Sequence, residues 1–405
     1  MVPKGSLATA SLVALVTCSD ALFASPSPAL TCGGVASSAP IRRRPPPLHR
    51  HALSADSSSP GTAAGGGRNG GDSSTLSLIE HVNLNVPTHD FALPFYLDLL
   101  GCGLDPRRAA NVAAGAGTVW PNCGASQFHL PVGEVAQVLP GHIGLRYNDL
   151  AGLKGRIRRE EDGKAECDRC FASSETAVGG DGREVITLVD RYGNMFQCRE
   201  GATQDPPSSG GHPAMAQPLV RSGETELYGD GIAEQYGLEG ATDCRGIDYV
   251  EFKVPRGAAD KIRTFYDCVF DAPTAIVTDA SGGGGGMIAI VGIGSVDEMG
   301  RANQSLLFRE CDDKIPPYDG HHLSLYVGSS QADFETAFLN CEQAGVIWAN
   351  PRFKDEALTL EGAREWSQFR FKDIVDLRTG MKVFELEHEI RSIKHDAWLG
   401  IDENE

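Results

Sequence analysis

His81, Asn83 and Asn85 stand at alternate positions of the segment IEHVNLNV, residues 79–86. Side chains two apart share one face of a strand, so these three fall together, opposite Val82, Leu84 and Val86. A histidine and two amides on one face can line a wet cavity and hold a ligand, or simply meet solvent. Other familiar chemistry is missing from the chain. No G-x-S-x-G nucleophile, H-E-x-x-H pair or Walker-type loop occurs. Cys167 and Cys170 form a lone C-x-x-C without the second pair a zinc knuckle needs, and they read as structural. The SGGGGG run at 281–286 lacks the Lys-Ser/Thr of a phosphate-binding loop and reads as a flexible loop.

The elements that must position His81 lie in a chain of 405 residues with a formal net charge of -18. That length suits two or three domains, and 41% hydrophobic content can fill their cores. The acidic balance argues against a general nucleic-acid partner, which calls for a basic surface. The eleven scattered cysteines show no disulfide framework. Residues 1–75 read as a presequence rather than a domain. Lys4 precedes the short apolar run SLATASLVALVT, and CSDALFAS offers small residues at a cleavage point. A Ser-, Ala-, Pro- and Arg-rich stretch follows, poor in acidic residues. This two-part arrangement resembles the plastid presequences of algae with secondary plastids; the alternative is secretory targeting with a linker. No run further along the chain is long and apolar enough to span a bilayer. The Pro/Gly/Ser-rich segment at 201–242 reads as a linker between folded regions 76–200 and 243–392, with a polar tail at 393–405.

The opening strand recurs. IEHVNLNV has counterparts in GHIGLRY (141–147), GIDYVEFKV (246–254) and GHHLSLYV (320–327). Helical patterns follow the first, third and fourth, with Phe95-Tyr96 and Phe265-Tyr266 at matching places. After the second, DLAGLKGRIRREED is a weaker helical pattern, and its RREED run reads as a solvated turn. The closing strands read ASQFHLP, GNMFQCRE, QSLLFRE and GMKVFELEHE. The unit is therefore strand, helix and three strands, used four times, which predicts an α+β fold.

Paired units of this kind resemble the vicinal oxygen chelate superfamily, which includes glyoxalase I, extradiol dioxygenases and antibiotic-resistance proteins. The resemblance covers 76–200 well and 243–392 less tightly. It implies four βαβββ modules in two glyoxalase-like domains, each with a curved eight-stranded sheet around a cleft, the second domain being divergent. It also implies a divalent metal (zinc, nickel, iron or manganese) held by residues of the first and last strands of paired units. Carried over residue by residue, the first-domain ligands are His81, His129, His142 and Gln197. Each is polar within an apolar strand and points away from the packing face. Asn83, Asn85, Arg146 and Arg199 then line the cleft and contact substrate. In the second domain Tyr249 replaces the first histidine, and Glu251, His322 and Glu385 are the alternative ligands.

This pattern departs from the family's. Glyoxalase I brings glutamates where His129 and Gln197 stand, and the dioxygenases bring a carboxylate where Gln197 stands. The reading is a metal-dependent lyase, isomerase or dioxygenase acting on a small vicinal-oxygen substrate. Its alternative is a non-catalytic binding protein with a degenerate metal site. Trp120 and Trp366 read as core residues of strands.

Overall fold

The computed structural model describes residues 75–115, 117–179, 182–201, 244–278, 286–296 and 302–396. The presequence, nearly all of the 201–242 linker, the glycine run before Gly286 and the end of the tail lie outside them. Unit one supplies β1 (Leu76–Asn83), β2 (Gly103–Leu104), β3 (Thr118–Val119), β4 (Pro121–Cys123) and β5 (Ser126–Pro131). Unit two supplies β6 (Gly141–Tyr147), β7 (Phe171–Val178), β8 (Glu184–Asp190) and β9 (Met195–Glu200). Unit three supplies β10 (Cys244–Pro255), β11 (Thr274–Thr278), β12 (Met287–Val296) and β13 (Ala302–Cys311). Unit four supplies β14 (His322–Val327), β15 (Gln368–Asp376) and β16 (Met381–Ser392). Its remaining strand is reduced to a single bridge, Ile347 to Phe371.

Each unit keeps its helix between its first and second strands. Thr88 caps His89–Leu93 by accepting from the Asp90 N–H at 3.0 Å, and a π-helical turn at Pro94–Leu99 continues it. The second helix, Ala151–Gly163, runs for 13 residues and absorbs the RREED run, which is not a turn. Lys164 pairs with Glu160 at 2.7 Å to support its last turn. Ala259–Phe270 and Gln331–Ala344 complete the set, the latter opened by a capping box between Ser330 and Asp333.

The architecture is α+β, with two mixed, open eight-stranded sheets. Their composition differs from the expected pairing of neighbouring units. β1 pairs antiparallel with β14, so the first sheet joins unit one to unit four in the order β15-β16-β14-β1-β5-β4-β2, with β3 on β5. β6 pairs antiparallel with β10, so the second joins unit two to unit three in the order β11-β12-β13-β10-β6-β9-β8-β7.

The repeated Phe-Tyr pairs hold the two sheets together. Tyr96 lies 4.9 Å from Phe128 of the first sheet, and Phe95 lies 5.2 Å from Phe196 of the second. In the third unit Tyr266 lies 5.6 Å from Phe308 of the second sheet, while Phe265 lies 5.7 Å from Phe371 of the first. All four rings are buried, so each helix is a wedge between sheets. Burying an aromatic ring of this size stabilises by about 1.5–3 kcal/mol. The opposite faces of the central strands are left for polar side chains.

This nesting predicts how the chain divides. Residues 76–200 expressed alone expose the β1 and β6 edges and aggregate. Co-expressed with 243–392, they form a soluble one-to-one complex. Gel filtration of each fragment and of the pair checks this; two separately soluble monomers would contradict the strand pairing.

Candidate functional site

The β1–β14 register builds a polar face. His81 lies opposite Ser324, and Asn83 lies opposite His322. On the other flank β5 sets Gln127 beside His81 and His129 beside Asn83. β16 sets Glu387 beside His322 and Glu389 beside Ser324. His81, His129, His322, Glu387, Glu389 and Ser324 are all buried.

Glu80 joins this face through a β-bulge. Strict alternation places it with Val82 and Leu84, but the register slips between Ile79 and His81. Its carboxylate meets His81 Nδ1 directly and accepts from Arg391 Nη1 at 2.9 Å. Burial opposes its ionisation, but Arg391 and His81 outweigh that and hold its pKa well below the usual carboxylate range. An ionised partner holds a proton on His81 Nδ1 and orients the ring so that Nε2 points into the site. His81 Nε2 faces His322 Nε2 at 3.4 Å.

Glu389 Oε2 lies 3.8 Å from the same His322 nitrogen. Arg391 Nε donates to Glu389 Oε1 at 2.6 Å, and Arg370 Nη2 meets Oε2. Against the burial penalty, these two guanidinium groups hold Glu389 well below the usual carboxylate range. Arg370 also donates to Glu387 Oε1 at 2.8 Å and to Asp355 Oδ2 at 3.1 Å. Burial pushes the Glu387 carboxyl upward, while Asn350 donates to both its oxygens. Two guanidinium groups thus face four carboxylates, and the cluster is short of positive charge.

His129 stacks face to face on His81, with ring centroids 3.6 Å apart. Trp120 covers its other face at 4.6 Å, and the Arg108 guanidinium covers Trp120 at 3.6 Å. Trp120 is therefore part of a stack over the histidines, outside any strand. His129 Nε2 lies 3.2 Å from Gln127 Oε1 and donates to it. Burial first, then the charge of His81, lowers the His129 pKa; burial, Arg370 and His81 do the same for His322. Both imidazoles are neutral near pH 7.

These donors suit a divalent cation. Within 4.8 Å of one another lie donor atoms of Glu80, His81 and His129, and likewise of His81, His322 and Glu389. Zinc–imidazole bonds of about 2.0–2.1 Å at tetrahedral angles separate two nitrogens by roughly 3.3–3.4 Å, close to the spacing of His81 and His322. Ser324 Oγ is buried between His81 and Glu389 without a hydrogen-bond partner. His129 spends Nε2 on Gln127, so His322 and Glu389 are the better-placed partners of His81.

The expected quartet is divided. His142 and Gln197 lie in the second sheet, on β6 and β9, because β6 pairs with β10 instead of β1. There Tyr249 fills the space between them. Its hydroxyl donates to Gln197 Oε1 at 2.9 Å and lies 3.1 Å from His142 Nε2. Gly144 makes room for the ring: a Cβ there would fall 2.2 Å from Tyr249 Cε1. Arg146 pairs with Asp248 at 2.5 Å, and Arg199 Nη2 donates to Gln197 at 3.3 Å, so both arginines belong to this second cleft. The alternative trio also separates. Glu251 is in the second sheet, clamped by Arg309 at 2.8 and 2.9 Å. His322 is in the first, and Glu385 pairs with Lys372 and Lys382 at 2.9 and 2.8 Å near the surface. Asn83 stays near the first site, 3.5 Å from Gln137, and the Asn85 N–H donates to the same Gln137 at 2.8 Å.

No protein-family model matches the sequence, and no curated protein matches it. Solved structures of similar arrangement include glyoxalase I from Zea mays, 12% identical, covering 78% of this chain and 92% of that one, TM-score 0.41. Lactoylglutathione lyase from Agrobacterium tumefaciens is 20% identical over 31% of this chain and 94% of its own, TM-score 0.23. A glyoxalase/bleomycin resistance protein/dioxygenase from Alicyclobacillus acidocaldarius is 17% identical over 30% and 89%, TM-score 0.22. The described fold is the four-unit α+β arrangement expected from the sequence, in two open eight-stranded sheets. Within it, the first sheet of this chain gathers the His/Glu cluster and the second closes on a tyrosine. Among the described residues no helix is long and apolar enough to cross a membrane.

The buried imidazoles make stability depend on pH. Burial holds His129, His322 and His388 below the usual histidine range, His388 down to about 3. Below about pH 6.5 the unfolded chain binds protons that these folded-state rings refuse. Their stabilisation is complete above that pH and is lost as pH falls toward the folded values. Each contributes on the order of 1 kcal/mol per pH unit. Denaturant titrations at pH 7.5, 6 and 5 should show a steadily falling midpoint.

Proposed function

We propose that this chain is a glyoxalase-like, metal-dependent enzyme whose divalent ion is held in the first sheet by His81, His322 and Glu389, with His129 in reach. The observation that carries this reading is the meeting of His81 Nε2 with Nε2 of the neutral His322 ring at 3.4 Å, beside the ionised Glu389. A proton shared between the two rings could also occupy that gap. The unpartnered Ser324 Oγ and the carboxylate excess favour a cation.

A divalent ion held there supplies Lewis acidity toward adjacent oxygens of a small substrate. The residues around it do the rest. Glu80 engages His81 at Nδ1 and so leaves Nε2 to face the ion. Arg370 and Arg391 keep Glu389 ionised and fixed. That clamp makes Glu389 a weak base, and burial weakens His129 in the same way. The arrangement therefore favours polarising a substrate over abstracting a strongly held proton, so lyase or isomerase chemistry here calls for an activated vicinal-oxygen compound, and dioxygenase chemistry needs no such base.

The enclosure of the donors favours a second reading, a binding protein without turnover: His81 is 1% exposed and His322 3%. One experiment separates the two. Chelator-treated protein is reloaded with zinc, nickel, iron(II) or manganese and assayed against 2-oxoaldehydes with thiol and against catechols. The enzyme reading expects turnover with at least one metal, and a loss of about a hundredfold or more on His322→Ala. Ligand binding with no turnover under any metal would establish the second reading.

A further inference from the structure

A half-open cleft of about 480 Å³ lies beside β15, next to the histidine cluster, lined by Phe353, Asp355, Trp366, Gln368 and neighbouring residues. Its volume suits a small ligand. Trp366, expected in a strand core, instead ends the helix Leu360–Trp366 and is 45% exposed. Ser367, also in the lining, turns the chain into β15 at a φ of 52°, one of two non-glycine residues in the left-handed region among those described. That turn costs about 1 kcal/mol or more and leaves the indole at the cavity instead of in the core.

The walls are acidic and aromatic. Asp355 uses Oδ2 for Arg370 and Gln368, while its Oδ1 takes no side-chain donor among the described residues; the side chain is 11% exposed. Glu365 and Asp396 add two further carboxylates, and Lys354 is the one ammonium among the lining residues. His395, in the same wall, is lowered to about 4 by burial and by Arg391, so it adds no positive charge at neutral pH. The Phe353 ring already accepts one cation on a face, the Arg370 guanidinium at 4.4 Å. Aromatic faces together with carboxylates recognise organic cations.

We propose that this cavity binds a small organic cation, a primary or quaternary amine, held against Asp355 with Trp366 covering it. The site adjoins the histidine centre, since Phe353 lies 6.1 Å from His322, but it does not depend on a metal there. It is nonetheless linked to it: Asp355 pairs with Arg370, Arg370 with Glu389, and Glu389 with Arg391, which reaches Glu80.

Calorimetric titration of the full chain with tetraethylammonium, n-butylammonium and butyrate tests this. Both cations should bind saturably with Kd of about 1 mM, and butyrate should not. Trp366→Ala should weaken cation binding about fivefold. Asp355→Asn should do so by a similar factor, and Glu365→Gln by about twofold. Because Trp366 is half exposed, its replacement keeps the fold even if the Asp355 variant does not. Absence of saturable binding by either cation, equal binding of butyrate, or unchanged affinity in Trp366→Ala would each overturn the proposal.

Discussion

The antiparallel pairing of β1 with β14 is the constraint on which the rest of the site depends. It sets the first unit against the fourth, across nearly the whole described chain, and puts His81 and His322 within reach of each other. β5 and β16 then lie parallel on its flanks and bring His129 and Glu389 to the same face. Were β1 paired with β6, the same side chains would make a different site. The aromatic wedges explain why the outer units can meet. Tyr96 and Tyr266 each sit between the sheets, so both sheets share one hydrophobic core while their polar faces point away from it.

The two clefts solve the same physical problem in opposite ways. Polar groups buried on a sheet face need partners. In the second sheet the protein supplies them: the Tyr249 hydroxyl joins His142 to Gln197, and Arg309 neutralises Glu251. In the first sheet the supply is incomplete. Arg370 and Arg391 are outnumbered by carboxylates, two imidazole nitrogens face each other, and Ser324 Oγ has no partner. A cation completes the first cleft, whereas a tyrosine has already completed the second.

Much of the fold was legible in the sequence. Period-two alternation located the opening strand of every unit, and the repeated Phe-Tyr pair marked helices that do equivalent work. Which units pair was not legible, because alternation fixes the face of a strand and not its neighbour. Proximity in sequence therefore pairs neighbouring units and groups His142 and Gln197 with His81, whereas the strands pair otherwise. Glu80 was hidden by a bulge, which period-two reading cannot register. Glu389 was hidden by register: FELEHE offers three alternate glutamates, and only pairing with β14 selects Glu389 for the site while leaving Glu385 to surface lysines. The RREED run and Trp366 were misplaced for a related reason, since local composition does not reveal which helix a segment extends or ends.

The most direct test of this account is metal content across three single variants. Purified wild-type protein, reloaded with zinc and desalted, should carry about one equivalent by mass spectrometry of the metal. His81→Ala and His322→Ala should each lose it, while His142→Ala, in the tyrosine-closed cleft, should keep it. Retention in His322→Ala together with loss in His142→Ala would contradict the pairing of the outer units as the source of the site.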